Sequence, residues 1–512
     1  MLRSSSIAVA AASLLAAQAA LPADAGFGRP VRPAVPTAVA AVPAGATKYF
    51  TVNLKENASA ADAARVVAYF RGFGLSATST PENDIIFVHG SYAQAAAAAH
   101  TSFARVRVRD RVFTHASSPA RFPTAIERVV AATTIEDGPA ATSAGIGTTA
   151  PTGGYAPADI ASYYDIAPLY RAGFSGKGQT VAVLACATVV PGDISAFEQK
   201  FGLPANAPTI VNVDGGTSET GLEPTGDVER VIGTAPLASV RLYVVPSECL
   251  FSQLADGFAK IAADAAKIKF AAVTHSYGAT EDDYAYYGGT SDEVAEDADL
   301  ALLEKRDVPV FAVSGDWGAT FGSSDQALYD GELTVWYPAS NPTVIAAGGT
   351  EAVSQSATAP VRLFETAWGD GGGGVSEVYP ISPWQAAVSG VASTMMRNVP
   401  DVALASSAGE AYAAVWTPSG GSQGSYWFYG TSFAAPTWAG LIALAEDERA
   451  KAGKKPIANL AATLYKLAST PAFTDITQGC NGYYCAQPGY DNVTGLGVFD
   501  GYRLSKELLA QP

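Results

Sequence analysis

The sequence predicts an α/β protein, a doubly wound and mostly parallel sheet covered by helices, preceded by a small α+β domain. Three observations carry this. After about residue 150, short continuous apolar runs recur (TVAVLACATVV, SVRLYVV, AAVTHSYG, VPVFAVSGD, TVIAAGG), as in strands buried on both faces. Helical stretches such as FSQLADGFAKIAADAAKI and DEVAEDADLALLEKRD lie between them and cover such a sheet. Ahead of residue 150, strand-like and helix-like segments alternate within a shorter stretch of opposite net charge.

The elements follow in order. Residues 1–25 have a basic start at Arg3, an apolar stretch from Ile7 to about Ala20, and small residues suited to cleavage after Ala19 or Ala25, which together read as an export signal. A short buried helix is the alternative. Export implies an oxidising compartment, in which cysteines pair. KYFTVNL then reads as a strand, ASAADAARVVAYFRGFG as a helix ending in Gly, DIIFVHG as a strand, and SYAQAAAAAHTSFARV as a helix. These place an α+β domain over 26–122. Residues 123–154 are rich in Ala, Thr, Gly and Pro with little periodicity, as in a linker open to proteolysis. The α/β domain occupies 155–512, and in such sheets active residues gather at the carboxyl ends of strands.

Composition narrows the function. The 512 residues include 48% apolar and 16% charged side chains, which excludes a disordered chain. No apolar run reaches the ~18 residues of a membrane span. A net charge of −16 argues against a nucleic-acid partner, which needs clustered Lys and Arg. Residues 26–150 carry 12 basic and 8 acidic side chains, net +4, whereas 151–512 are net −20. Opposite signs are expected to favour docking of the two parts at neutral pH.

In YGTSFAAPTWAGLIALAEDE a Gly-Thr-Ser turn runs into an apolar helix. Ser432 lies at its positive end, where developing negative charge is favoured, and is the candidate nucleophile; a plain N-cap serine is the alternative. A serine nucleophile needs a base. His89, His100 and His115 fall in the first domain, and His275 sits inside an apolar strand, so histidine is poorly placed. The segment GLEPTGDVERVIGTAP offers Glu223 and Asp227, four apart, with Pro224 suited to the first helical position. Two carboxylates on one helix face can share a proton and act as acid and base in acid, although two solvated acids would look the same. Asp316 ends the apolar strand VFAVSGD, where burial would keep it neutral and able to donate to an oxyanion.

With YAPADIASYYDIAPLYRAGFSGKGQTVAVL, the Glu-x-x-x-Asp segment, HSYG, SGD, ETAW, GGGGVSEVYPISPWQ, RNVPDVALAS and GTSFAAPTWAG in this order, the chain resembles the sedolisins, or serine-carboxyl peptidases, of subtilisin-like fold. The resemblance implies Ser432 as nucleophile, Glu223 as general base, Asp227 as the group orienting it, and Asp316 as oxyanion donor. It further implies that Ser276, Tyr277 and Gly278 pair with the substrate backbone. Residues 26–122 become an inhibitory propeptide, and the glycines at 371–374 admit a peptide closely. In FTDITQGCNGYYCAQPGYDNVTGLG it implies one structural Ca2+ held by the carboxylates of Asp475 and Asp491 and the carbonyls of Ile476, Gln487 and Gly489. A Gly/Asn loop is the reading without the resemblance. Trp317 stands where the family usually has a small residue, Gln487 where it has Gly, and Pro224 where a bulkier residue is common. Four cysteines allow three connectivities; Cys186 with Cys249 and Cys480 with Cys485 is the expected one.

The expected protein is a secreted, self-processing, acid-active endopeptidase, a monomer acting on proteins or peptides, with no nucleic-acid or membrane partner. The rivals are a neutral subtilisin-like peptidase using His275 and a silent binding protein on the same fold.

Overall fold

The structure, a computed structural model, describes residues 36–108, 111–138, 142–143, 147–148, 155–287, 289–320, 332–354 and 362–512. The expected export signal and most of residues 139–154 lie outside the described residues.

The first part contains β1 (Thr37–Ala41), β2 (Thr47–Leu54), β3 (Ser76–Ser79), β4 (Ile85–Ser91), β5 (Phe103–Val108), β6 (Arg111–Ala116) and β7 (Val130–Thr133). An antiparallel sheet runs β3-β4-β2-β7, and β1, β5 and β6 form a second. The period-2 rule assigns the two faces of β2. Phe50, Val52 and Leu54 join Val66 and Phe70 of the Ala60–Gly72 helix in one core. The alternate Thr51 and Asn53 point the other way, donating to Asp256 and Asp299 at 2.7 Å each. The Ala60–Gly72 helix opens with a capping box between Ser59 and Asp62.

Two expectations need correction. The helix beginning at Tyr92 ends at Ala99, because His100 adopts φ 52°; the alternating FARVRV that follows is β5 rather than more helix. The assigned linker also begins too early, since Thr124–Glu127 is a helical turn and β7 pairs with β2. The charge argument holds only in part at the contact itself, where Lys48 of the first part lies near Asp214, Asp256 and Asp292 of the second and favours their ionised forms against burial. There Lys305 and Arg306 reach Glu56 and Asp84, at 2.7 Å each, so these pairs run opposite to the net charges.

Next come β8 (Thr142–Ser143), β9 (Gly147–Thr148), β10 (Thr180–Ala185), β11 (Thr209–Asn212), β12 (Ser239–Val244), β13 (Ala272–His275), β14 (Tyr277–Thr280) and β15 (Val310–Val313). They are followed by β16 (Trp336–Tyr337), β17 (Val344–Ser354), β18 (Arg362–Ala367), β19 (Gly374–Pro380), β20 (Met396–Val399), β21 (Val402–Ala405), β22 (Tyr412–Trp416) and β23 (Gly424–Tyr429). The main sheet has the order β11-β12-β10-β13-β15-β17-β18, with β21 also on β17. All its pairs are parallel except β17 with β18. The expected mostly parallel α/β architecture is therefore present. The apolar runs become fully buried strands, among them Val181–Leu184 and Phe311–Ala312. With β10, β13 and β15 adjacent, their carboxyl ends lie side by side, and the site forms there.

Candidate active site

Ser432 lies in a short 3-10 turn, Thr431–Phe433, between β23 and the Ala434–Lys451 helix. Gly430, at φ 134°, makes the reversal that an L side chain would resist. The helix N-cap is Phe433, with no side-chain cap. Ser432 therefore makes no capping bond, and its buried Oγ has no hydrogen-bond partner. That removes the plain N-cap alternative.

Glu223 and Asp227 sit one turn apart on the Leu222–Thr234 helix, and both are buried. Gly221 is the N-cap, so Pro224 is the third helical residue rather than the first; its missing N–H is still one the helix could not have used. Gly226 brings this helix against the nucleophile turn. A Cβ there would lie 2.9 Å from the Phe433 ring, so the ~1 kcal/mol that glycine costs mid-helix goes to close approach. Burial pushes the Glu223 carboxyl well up, and the neighbouring Asp227 charge pushes it further. The Ser432 hydroxyl lies near enough to pull it partly back, yet Oγ stops short of a formed bond and both Glu223 oxygens are unpartnered. Such looseness is usual before substrate closes the site. Asp227 is also raised by burial, against which Ser276 Oγ donates to its Oδ1 at 2.9 Å.

Asp316 follows β15. Its Oδ1 accepts the Thr431 amide at 2.8 Å and the Thr431 hydroxyl at 2.6 Å, whereas buried Oδ2 has no partner. Burial raises this carboxyl to about 7. A proton on Oδ2 leaves Oδ1 free to accept both bonds, which makes Asp316 a neutral donor in acid.

The expected substrate strand divides into two roles. Tyr277 and Gly278 carry backbone pairing and Ser276 does not, its side chain being used on Asp227. The chain itself fills that pairing, for Tyr277 is antiparallel to Ser143 and Gly278 to Thr142. A few residues on, Gly147 and Thr148 pair with Tyr429 and Phe428 of β23. Residues 142–143 thus pair with β14, and residues 147–148 with β23, the strand that leads into the Ser432 turn. Gly278 permits the β14–β16 contact, where a Cβ would sit 2.2 Å from the Tyr337 carbonyl oxygen. The glycines at 371–374 do not open toward a peptide as expected: Gly372 N–H donates to Gly315 O and its carbonyl accepts Ser314 Oγ, both at 2.7 Å.

His275 is a core residue. Its Nδ1 faces the Leu184 carbonyl at 3.3 Å, Phe258 packs edge-on, and burial lowers it to about 4. Both expected disulfides, Cys186–Cys249 and Cys480–Cys485, are formed. At the expected cation loop, Asp475 Oδ2 accepts Gly489 N–H at 2.9 Å and Asp491 Oδ2 accepts Gln487 N–H at 3.0 Å. The two carboxylates thus hold one turn from opposite ends. Among the described residues no group of three or more His, Cys, Asp or Glu side chains could hold a metal. A cation here would depend on the backbone carbonyls of Ile476, Gln487 and Gly489 as well. Sequence reasoning missed Thr431 as the residue fixing Asp316, although it adjoins the nucleophile in the same turn.

No family model matches the chain. Kumamolisin of Bacillus sp. (strain MN-32) is 34% identical over 392 residues, 70% of this chain and 64% of kumamolisin. Sedolisin of Pseudomonas sp. (strain 101) is 34% identical over 38% of this chain and 36% of its own. Tripeptidyl-peptidase 1 of Canis lupus familiaris is 27% identical over 65% of this chain and 61% of its own. The chain therefore spans less than two thirds of the length of each of these relatives. The solved structure of Pseudomonas sedolisin complexed with two molecules of pseudo-iodotyrostatin superposes with a TM-score of 0.58 at 24% identity, over 70% of this chain and 98% of that one. The fold is therefore shared.

Proposed function

The chain belongs to the sedolisin, or serine-carboxyl peptidase, family, and from that premise we propose that it is an acid-active endopeptidase hydrolysing peptide bonds through an acyl-enzyme on Ser432. One observation carries the reading: Ser432, Glu223, Asp227 and Asp316 meet in a buried site where each has a side-chain oxygen without a partner. Such oxygens are costly unless substrate or a shared proton satisfies them.

In the proposed mechanism Ser432 Oγ attacks the peptide carbonyl carbon as its proton passes to Glu223. The carbonyl electrons move to oxygen, which receives a hydrogen bond from the protonated Oδ2 of Asp316. The tetrahedral adduct collapses with cleavage of the C–N bond, and Glu223 returns the proton to the leaving amine. Water then attacks the acyl carbon as Glu223 takes its proton, the C–Oγ bond breaks to release the carboxylic acid, and Glu223 returns the proton to Ser432 Oγ. Asp227, held by Ser276, orients Glu223 and competes with it for a proton.

The first part, extended to include β7, acts as the inhibitory propeptide in this reading, and the processed bond lies between the residues that pair with β14 and those that pair with β23. Export rests on the first 25 residues. Among the described residues no helix is long and apolar enough to cross a membrane, and the enzyme acts as a monomer. One Ca2+ would be held by Asp475, Asp491 and the carbonyls of Ile476, Gln487 and Gly489, an all-oxygen set suited to a hard cation; bound there, it would brace the loop.

Replacement of Ser432 or Glu223 by Ala is expected to leave the precursor uncut and to lower protein digestion at acidic pH by at least ~10⁴-fold. Normal maturation of the Ser432→Ala protein made alone would refute the assignment.

A further inference from the structure

The Cys186–Cys249 disulfide joins two loops at the carboxyl ends of neighbouring parallel strands. Cys186 directly follows β10, and Cys249 lies a few residues beyond β12. Both cysteines are buried. Cys249 holds φ 52°, a left-handed conformation that a residue with a Cβ resists. Its N–H closes a turn onto Pro246 O at 3.0 Å, and Leu250 then opens the Phe251–Ala265 helix.

From Cys186 the chain runs straight into the support of the Glu223 helix. A Cβ on Gly221, the N-cap of that helix, would lie 2.9 Å from the Ala187 Cβ. Thr188 N–H donates to Glu219 O at 2.8 Å and Thr188 O accepts the Gly221 N–H at 3.0 Å, so Thr188 and Thr220 form a short parallel bridge. Gly221 makes no side-chain cap. The first turn, with Glu223 in it, is therefore placed by this backbone tie rather than by a capping side chain. The tie is only as firm as the Cys186–Thr188 segment, and the disulfide anchors that segment covalently to the loop after β12.

We propose that the Cys186–Cys249 disulfide is a positioning element for the general base, locking the Cys186–Thr188 segment against the start of the Leu222–Thr234 helix and so holding Glu223 toward Ser432. This rests on the peptidase reading and deepens it. The titratable groups facing Glu223 are Asp227 on its own helix, Asp316 after β15 and Tyr277 of β14. Removing the sulfurs changes none of them. Loosening the segment acts instead by admitting water to a carboxyl that is held up chiefly by burial, which brings it down toward its ordinary range. It also widens the gap that the Ser432 proton must cross.

The test compares the full chain after self-processing with its Cys186→Ser/Cys249→Ser variant, on one peptide substrate across the acidic range. The variant is expected to show kcat about tenfold lower with KM changed less than about twofold, and an acid limb displaced to lower pH. If it does not accumulate, Cys186→Ala/Cys249→Gly lets glycine take the left-handed turn without strain, and the same fall and displacement are expected. Ala187→Gly keeps the disulfide but removes the methyl that meets Gly221; it is expected to move both readings the same way by less, and decides the matter if neither cysteine variant accumulates. A lower Tm with kcat and the acid limb unmoved would make the bond merely structural and overturn the inference. A loss confined to KM, or a limb displaced to higher pH, would overturn it too, and each of these leaves the peptidase reading in place. Failure of the unsubstituted chain to cleave any peptide overturns both.

Discussion

Thr431 gives both its amide and its hydroxyl to a single oxygen of Asp316, Oδ1, leaving Oδ2 with no partner. Thr431, the neighbour of Ser432, thereby leaves Oδ2 as the oxygen on which a proton would sit when Asp316 is neutral.

In the proposed mechanism that arrangement sets the alkaline limb of activity. Burial raises Asp316 to about 7, so the neutral donor persists through acid and is lost as pH rises past that value. Asp316→Asn keeps a neutral donor at every pH and is expected to flatten this limb. Asp316→Ala lowers kcat by about 10²–10³ at all pH values. A kcat/KM profile for Asp316→Asn that still falls near pH 7 would assign the limb to another group.

Ser276 supports the carboxylate pair from the other side. Its hydroxyl is what lowers the Asp227 carboxyl against burial, so Ser276→Ala raises that carboxyl further and leaves Oδ1 unbonded. The loss of ~1 kcal/mol or more predicts a kcat about fivefold to tenfold lower with KM nearly unchanged. The acid limb also moves to higher pH, because the pair needs a less acidic medium to supply its ionised member. A changed KM with an unmoved limb would return Ser276 to the substrate-pairing role expected of it.

Cation removal acts on stability. The Asp475 and Asp491 carboxylates grip one turn from both ends, and a bound Ca2+ in hundredfold excess over its dissociation constant adds about 2.7 kcal/mol. Chelation is expected to lower Tm by about 3–4 °C, and Asp491→Asn should make Tm insensitive to calcium. Identical melting with and without the ion would exclude the site.

Much of this was legible in the sequence where a local pattern and a buried environment coincide. The apolar runs ending at Val313 and His275 could only be interior strands, and Glu223 and Asp227 fall on one helix face by spacing alone. Contacts between distant segments were not legible. Nothing local tells that Ser276 serves Asp227 across 49 residues, or that Gly372 admits Ser314 rather than a peptide. Net charge was a partial guide for a related reason, matching Lys48 beside Asp214, Asp256 and Asp292 but not every pair. It averages over surfaces, whereas docking depends on which residues touch, and Lys305 and Arg306 happen to be the ones facing Glu56 and Asp84.

The segment paired to both β14 and β23 has a kinetic corollary. A peptide held at residues 142–143 and again at 147–148 is present at an effective concentration that no freely diffusing peptide reaches. Under the proposed self-processing the first bond offered to Ser432 is the molecule's own, and its cutting is expected to be unimolecular, with a half-time independent of dilution. Only after both severed ends have left does each copy begin to compete for substrate in the ordinary, concentration-dependent way.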